Sequence, residues 1–296
     1  MTWVIVVAAL VIIVFLLDRE IYFYEGVHLG PRLQAWLYDR WSRKYDKGKR
    51  ESQLHDDEML AQPLLDALNH VPEPFVLDFA TGTGRLSYAL MSRLEFKGRI
   101  VALDLSQGML EQAASKLGLD TSETNTRSTR PASLTSSRGS FRGARVELLR
   151  HLSLPLSFPD AAFDAVCALE VLELFPNMDE PLSEFSRILR PGGLLLTSRG
   201  TEESGRKAKV KSKAQLTALL EGNGFENVQV TKWWKFFDRV IAVKNGSSHP
   251  VDVRKLSEVL RCRVCKQAQW QREASGWKCQ KCGKVLSITK EGIVLN

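Results

Sequence analysis

Two groups of residues in this sequence have types and spacings that could do chemistry. One is a glycine-containing stretch, VLDFATGTGRLS at 76–87, which continues an apolar run typical of a buried strand. The other is a set of cysteines in two C-x-x-C pairs: Cys262, Cys265, Cys279 and Cys282. A further cysteine, Cys167, stands alone in an apolar run. The two groups predict a ligand-binding loop and a metal site.

The glycine-containing stretch has the position of a ligand-binding loop. A glycine-rich turn after the first strand of an α/β sheet lies at the carboxyl end of the sheet, where helix-start amides point outward. Asp78 precedes this turn, and Asp104 ends the next predicted strand, twenty residues after Gly84. This spacing suits an acid that accepts hydrogen bonds from ribose hydroxyls. The alternative is that Asp104 caps the helix that begins near Ser106.

The loop sequence also excludes two nucleotide classes. No Gly-Lys-Ser/Thr follows the glycines, so a Walker loop is absent. A dinucleotide-binding turn needs a third glycine, whereas Arg85, Leu86 and Ser87 follow Gly84. The loop therefore favours a nucleoside ligand.

The paired cysteines are spaced as in a zinc site. Thirteen residues separate the two C-x-x-C pairs, and two such pairs place four thiolates around one tetrahedral Zn²⁺. A secreted disulfide framework would scatter its cysteines, so the pattern points to a reducing compartment. We predict a structural zinc in a small ribbon over 255–296; a redox pair or free thiols are the alternatives.

Strands and helices alternate over residues 74–245. The order predicts a Rossmann-like α/β domain, with a mostly parallel seven-stranded sheet and helices on both faces. The last two strands, FENVQVTKW and FFDRVIAVKN, have no helix between them and are expected to be antiparallel. Residues 119–144 interrupt the order, because 121–140 are mostly Ser, Thr and Arg. We interpret them as a disordered insertion, with a phosphorylated or RNA-binding loop as the alternative.

The N-terminal region is apolar and then basic. Residues 3–17 are uninterrupted apolar residues that would reach about 25 Å from the N-terminus, just short of the ~30 Å hydrocarbon core. We predict a single-pass membrane anchor over 1–24, with the remainder cytoplasmic because the positive charge follows the anchor. Residues 25–73 are predicted to be a basic helical segment that rests on anionic headgroups or leads into the domain.

The overall composition is that of an ordinary globular protein. The sequence is 44% hydrophobic and 25% charged, with a net charge of +7. This basic balance suits an anionic membrane surface or nucleic acid, but it selects neither.

VLDFATGTG resembles motif I of the class I S-adenosylmethionine (SAM)-dependent methyltransferases. The likeness continues in VALDLSQGMLEQA (101–113), SFPDAAFDAVCALEVLELF (157–175) and LSEFSRILRPGGLLLTS (182–198). These resemble the signatures of the subgroup that includes quinone-biosynthesis methyltransferases, in the right order over about 74–245. Residues 260–296 resemble short zinc-ribbon proteins that partner methyltransferases.

The resemblance implies SAM as cofactor and assigns roles to residues. Asp78 would support the loop and the methionine amino end, and Asp104 would hold the ribose diol. Leu105 and Met109 would flank the adenine. The backbone would approach the cofactor at Ala80, Thr81, Gly82 and Gly84.

The sequence departs from the family pattern at three points. Ala80 replaces the usual first glycine, which is tolerable only if its φ stays negative. The stretch RHLSLP at 150–155 lacks the acid that often contacts the adenine amino group, and Leu174 stands where a histidine is common.

No catalytic residue is assigned, because alignment of the methyl donor with the acceptor supplies much of the rate and a base is needed only for a protonated acceptor. Glu170 and Glu173 are candidates for such a base, or ordinary helix and loop acids. The sequence favours a membrane-anchored SAM-dependent methyltransferase that acts on a small or lipid-phase acceptor, such as a quinone precursor or phospholipid. The alternatives are an RNA or protein methyltransferase whose ribbon engages the substrate, and a non-catalytic SAM-binding scaffold. Nucleic acid is the less favoured partner, and the sequence leaves the oligomeric state open.

Overall fold

A computed structural model describes residues 2–119, 145–204 and 210–296. Within these ranges eleven strands are present: β1 Phe75–Phe79, β2 Arg99–Asp104, β3 Arg145–Arg150, β4 Phe163–Ala168, β5 Leu189–Gly200, β6 Phe225–Trp234, β7 Phe237–Lys244, β8 Trp270–Glu273, β9 Gly276–Cys279, β10 Val285–Ile288 and β11 Val294–Leu295. They form one sheet in the order β6-β7-β5-β4-β1-β2-β3-β11-β10-β9-β8.

The α-helices of the described ranges flank this sheet or precede it. They are α1 Thr2–Tyr22, α2 Pro31–Gln53, α3 Gln62–Ala67, α4 Arg85–Met91, α5 Gln107–Leu117, α6 Asp179–Ile188, α7 Lys213–Gly222 and α8 Leu256–Val259. Helices α5 and α7 begin at serine caps, since the Ser106 and Ser212 side chains accept hydrogen bonds from the backbone N–H groups three residues later.

The central strands separate two apolar cores. Every residue of β1, β2 and β4 is buried, as expected for parallel strands that are covered on both faces. Phe75 and Leu77 enter one core, whereas Val76 between them enters the other. The carboxyl ends of these strands therefore meet at one rigid edge.

The sheet is larger and more mixed than the predicted seven-stranded, mostly parallel one. Strands β1 to β5 pair in parallel, and β7 joins β5 and β6 as antiparallel strands, which confirms the expectation for the last pair. The prediction of seven strands is wrong because β11 pairs in parallel with β3 and carries β8 to β10 with it. Buried Ile293 and Val294 pack this segment into the cores.

The structure contradicts the prediction of an N-terminal membrane anchor over 1–24. Within the described part of the chain, no helix combines the length and the apolar character needed to cross a membrane. The apolar run ends at Leu17, and α1 continues through Asp18, Arg19 and Glu20. Its apolar part is therefore shorter than the ~30 Å hydrocarbon core, and the prediction of a single-pass membrane protein with a cytoplasmic domain is wrong.

The disordered insertion predicted at 119–144 lies, apart from Leu119, outside the described residues.

A buried carboxylate ties the sheet to the segment that follows β7. Asp164 is fully buried, and its Oδ2 accepts a hydrogen bond from the Phe75 N–H (2.9 Å). Its Oδ1 accepts hydrogen bonds from Arg190 Nε (2.6 Å) and the Val251 N–H (3.1 Å). Arg190 is 3% exposed, so this ion pair is closed off from water.

We expect Asp164→Ala to lower the free energy of unfolding by about 3–5 kcal/mol, because it leaves the buried Arg190 charge unpaired. The control is Asp160→Ala, whose side chain is 77% exposed in its pair with Arg187; it should cost no more than about 1 kcal/mol. Urea unfolding followed by circular dichroism measures both. Equal losses in the two variants would contradict the importance of the buried pair.

Candidate functional site

The loop after β1 is held by the buried Asp78. Its Oδ2 accepts hydrogen bonds from the hydroxyls of Thr81 and Ser87, both at 2.6 Å. Burial raises the pKa of this carboxyl above its usual value, and the two hydroxyls oppose that rise. Asp78 therefore fixes the loop to the start of α4.

Asp104 joins the same loop to the end of β2. Its Oδ2 accepts a hydrogen bond from the Gly82 N–H (2.8 Å), and its Oδ1 accepts one from the Ser106 N–H (2.8 Å). Burial raises the pKa of Asp104 to about 6. Ser106 rather than Asp104 caps α5, since its hydroxyl accepts the Met109 N–H (3.1 Å). The carboxylate thus lies beside the glycine loop, and its two oxygens bind the backbone N–H groups of Gly82 and Ser106.

The two loop glycines have different environments. A Cβ placed on Gly82 (φ +55) would meet nothing within 4 Å, so the space above this residue is open. A Cβ on Gly84 (φ +76) would lie 3.1 Å from the Ala113 Cβ, so this glycine permits close packing of α5. Only Gly82 leaves room for a ligand to approach the backbone directly.

Ala80 adopts a left-handed backbone conformation. Its φ is +53, so the condition of a negative φ under which the sequence analysis found an alanine tolerable here is not met. This conformation costs an alanine about 1–2 kcal/mol relative to a right-handed one. Strain of this kind is typical of functional loops whose shape is fixed by their surroundings.

Helix α2 lies across the loop, which the sequence interpretation of residues 25–73 did not include. Asp39 Oδ1 accepts hydrogen bonds from the Ser106 hydroxyl (2.6 Å) and the Gly108 N–H (2.8 Å). Asp46 Oδ1 accepts one from the Thr83 hydroxyl (2.6 Å). The sequence signal is a polar stripe at alternating spacings of three and four residues, which places these side chains on one helix face: Asp39, Ser42, Asp46, Lys49 and Gln53.

A network of charges connects α2, α4 and the segment that follows β4. Arg85 Nη1 donates to Glu170 (2.8 Å), and Arg85 Nη2 donates to Asp56 (2.6 Å). Lys49 of α2 also pairs with Glu170. The guanidinium of Arg85 lies over the Trp233 ring, 4.7 Å from its centroid. Glu170 is therefore fully engaged by two cations, which does not suit a free base.

A cavity of about 50 Å³ lies between α2 and the loop. Four of the predicted cofactor residues line it: Asp78, Ala80, Thr81 and Gly82. The other four, Gly84, Asp104, Leu105 and Met109, are not in its lining. Met109 is 1% exposed, so its side chain is packed away from the cavity.

A larger cavity, of about 300 Å³, lies next to the segment that follows β4. Its walls include Leu174, Phe175 and Met178, and the Glu173 carboxyl also lines it. The Phe175 ring lies 6.3 Å from the ring of Phe79, which immediately precedes Ala80 of the loop. In the part of the chain that the structure describes, no residue lines both cavities; Glu170 lines the smaller one and Glu173, three residues later, lines the larger one.

Glu173 differs from Glu170 in its surroundings. Its Oε1 accepts the Gly200 N–H (2.6 Å), and the residue is 8% exposed. Burial raises the pKa of this carboxyl above its usual value. Glu173 therefore differs from Glu170 in that its carboxyl bonds to a backbone N–H rather than to Arg85 and Lys49.

The four predicted metal ligands converge. Their ligand atoms all lie within 4.8 Å of one another, and the Sγ–Sγ distances are 3.6 Å for Cys262–Cys282 and 3.5 Å for Cys265–Cys279. A tetrahedral Zn²⁺ with Zn–S bonds of about 2.3 Å separates its sulfurs by about 3.8 Å. The donor set and spacing fit zinc, with all four positions supplied by the protein.

The loop and the strands around it are similar to those of a known protein family. Residues 77–197 match the family described as "Methyltransferase domain". The chain carries a methyltransferase domain. This domain contains motif I, Asp104, Glu170 and Glu173, and it confirms the family resemblance and the prediction of a SAM-dependent methyltransferase at the level of the domain.

The relatives of this methyltransferase domain include quinone-biosynthesis enzymes. A demethylmenaquinone methyltransferase of Lactobacillus johnsonii is 27% identical over 53% of this chain and 70% of its own length. One from Thermus thermophilus is 32% identical over 44% of this chain and 48% of its own length. The chain therefore spans between about half and about two thirds of these relatives. A SAM-dependent methyltransferase structure from Aquifex aeolicus is 19% identical, with a TM-score of 0.49, and covers 70% of this chain and 98% of its own length.

We expect the affinity of the methyltransferase domain for SAM to fall as pH drops through about 6, the pKa of Asp104. Only the ionised carboxylate accepts hydrogen bonds through both oxygens, and its population falls about tenfold from pH 7 to pH 5. Isothermal titration calorimetry measures the dissociation constant across this range. Asp104→Asn is the control and should bind weakly at every pH; a wild-type affinity independent of pH would contradict the role of Asp104.

We expect metal analysis of the full chain to find one zinc per molecule, because four thiolates converge. Cys282→Ser should lose most of the metal, since it removes one of four ligands. Cys167→Ser is the matched control, because Cys167 is buried in β4, away from the cluster. Equal metal content in the two variants would contradict the site.

Proposed function

We propose that this chain binds SAM at the Gly82 loop and transfers a methyl group to a small or lipid-phase acceptor of the quinone-precursor class. The observation that carries the proposal is the open space above Gly82, flanked by the Asp104 carboxylate. The names of the relatives supply the acceptor class, since several are demethylmenaquinone methyltransferases.

The residues of the loop fit the adenosine and methionine parts of SAM. Asp104 would accept hydrogen bonds from the ribose hydroxyls, and Leu105 would lie beside the adenine. When bound, SAM supplies a methyl group on a sulfonium, which is already a good leaving group. The protein's own task is then to orient the acceptor and to exclude water.

Helix α2 must move for SAM to bind. The cavity beneath it is about 50 Å³, whereas sites for drug-sized ligands are typically 300 Å³ or more. Opening would break the hydrogen bonds that Asp39 and Asp46 make to the loop side of the site. We infer that α2 acts as a lid, held in part by charge-assisted hydrogen bonds.

The 300 Å³ cavity is the proposed acceptor site. Leu174, Phe175 and Met178 would pack against a compact ring system, and the polar residues of the same lining, such as Asn177 and Lys211, would bind its polar substituents. Glu173 is the proposed base for an acceptor that must lose a proton. Glu170, bound by Arg85 and Lys49, is proposed to hold the lid and α4 together.

The experiment follows methyl-labelled SAM with a lipid extract rich in quinone precursors, dispersed in detergent. We expect label in the organic-extractable product. Asp104→Asn should lower kcat/KM by about 10- to 150-fold, as expected for lost hydrogen bonds to a charged group. Glu173→Gln should keep SAM affinity but lose transfer. Glu180→Gln, which changes an exposed acid at the start of α6, should keep both.

Other outcomes would identify the alternatives. Label that enters RNA or protein instead would replace the proposed acceptor class. Tight SAM binding without transfer to any of the three fractions would indicate a non-catalytic binding protein. Unchanged transfer in Glu173→Gln would remove Glu173 from the reaction.

A further inference from the structure

The C-terminal module, residues 255–296, is docked beside the predicted ribose acceptor. Strand β11 extends the sheet at β3, with Val294 opposite Leu149 and Leu295 opposite Arg150. The Asn296 N–H continues the ladder by donating to the Arg150 carbonyl (3.1 Å). The module therefore ends at the carboxyl edge of the sheet, where the loop after β3 begins.

The loop after β3 is bonded to Asp104 and its neighbour. The His151 N–H donates to the Asp104 carbonyl (3.0 Å), and Arg150 Nε donates to the Leu105 carbonyl (3.2 Å). This loop occupies the position where the family resemblance led us to expect an acid, and no acid is present at 150–155. The position of the Asp104 main chain is thus tied to that of His151 by a hydrogen bond.

Two residues of the C-terminal module hold the His151 ring. Arg263 Nη2 lies 3.0 Å from His151 Nδ1 and 3.2 Å from Nε2, so the guanidinium lies over the face of the imidazole ring. Asn296 Nδ2 lies 3.0 Å from Nδ1. His151 Nε2 lies 3.4 Å from the Pro155 carbonyl, so we assign the ring proton to Nε2; Nδ1 then accepts the hydrogen bond that the Asn296 side-chain amide donates. The ring is 3% exposed, which makes these contacts costly to leave unpaired.

We propose that Arg263 and Asn296 are positioning residues for the cofactor site. They hold His151, His151 holds the main chain of Asp104, and the Asp104 carboxylate holds the Gly82 N–H. The C-terminal module, folded around its four cysteines, is then part of what makes the site able to bind the nucleoside end of SAM. This inference rests on the proposed function, because it requires that SAM binds at Asp104.

The alternative is that these contacts only attach the module to the sheet. In that case their loss would lower stability without changing the affinity of the folded protein for a nucleoside. A binding measurement well below the unfolding temperature separates the two, because it reports on the folded molecules alone. Adenosine is an informative second ligand, since it lacks the methionine part and contacts only the Asp104 end.

The experiment titrates the full chain with SAM and with adenosine by calorimetry. Arg263→Ala and His151→Ala should each raise both dissociation constants by about tenfold, within the range typical of coupling between sites. The double variant should be no worse than the weaker-binding single variant, because both remove the same contact. Arg263→Lys should recover part of the affinity. Arg272→Ala, an exposed arginine on β8 of the same module, is the matched control and should bind as the wild type does.

Each other result overturns a defined part of the proposal. Wild-type affinity in Arg263→Ala and His151→Ala, with zinc retained, would overturn the positioning role and leave the proposed function standing. Additive losses of affinity in the double variant would show that Arg263 does not act on the cofactor site through His151. If Arg263→Ala loses its metal, His151→Ala and Asn296→Ala decide instead, because neither residue is next to a cysteine ligand. A wild-type chain that binds no SAM would overturn the proposed function and this inference together.

Discussion

The hydrogen bonds that the Asp104 carboxylate accepts from the Gly82 and Ser106 N–H groups are the interaction on which the site depends. They join the loop after β1 to the end of β2, two neighbouring strands with no other side-chain link at this edge among the described residues. A buried carboxylate is costly, so it persists only where several donors satisfy it. Here those donors are backbone amides, whose positions are set by the sheet itself.

The lid and the charge network extend this arrangement outward from the sheet. Asp39 and Asp46 of α2 bind groups on the loop side of the site, and Arg85 connects α4 to Glu170. These contacts are polar and partly buried, which strengthens each hydrogen bond relative to one in water. Helix α2 also buries Ala35 and Leu37, so it is held by apolar packing as well.

The sequence alone predicted that Asp104 lies near the glycine loop and that the four cysteines converge, since both predictions depend on residue type and local spacing. It did not reveal the role of α2, because Asp39 and Ser106 meet across 67 positions of sequence, and the basic composition of this helix is typical of an exposed surface. The φ of Ala80 follows from its surroundings rather than from its residue type. Strand β11 is only two residues long, too short to show any periodicity, so its pairing with β3 was not visible. The N-terminal run was misread because its length falls just below that of a membrane-spanning helix.

The pairing of β11 with β3 also decides which backbone is left unpaired at the border of the sheet. Without β11, the apolar strand β3, with buried Val146 and Leu148, would be an open edge able to pair with the same edge of another molecule. With it, the border moves to β8, a short strand whose Gln271, Arg272 and Glu273 are exposed. The pairing of β11 with β3 therefore also covers an apolar strand edge of the kind through which sheets of different molecules join.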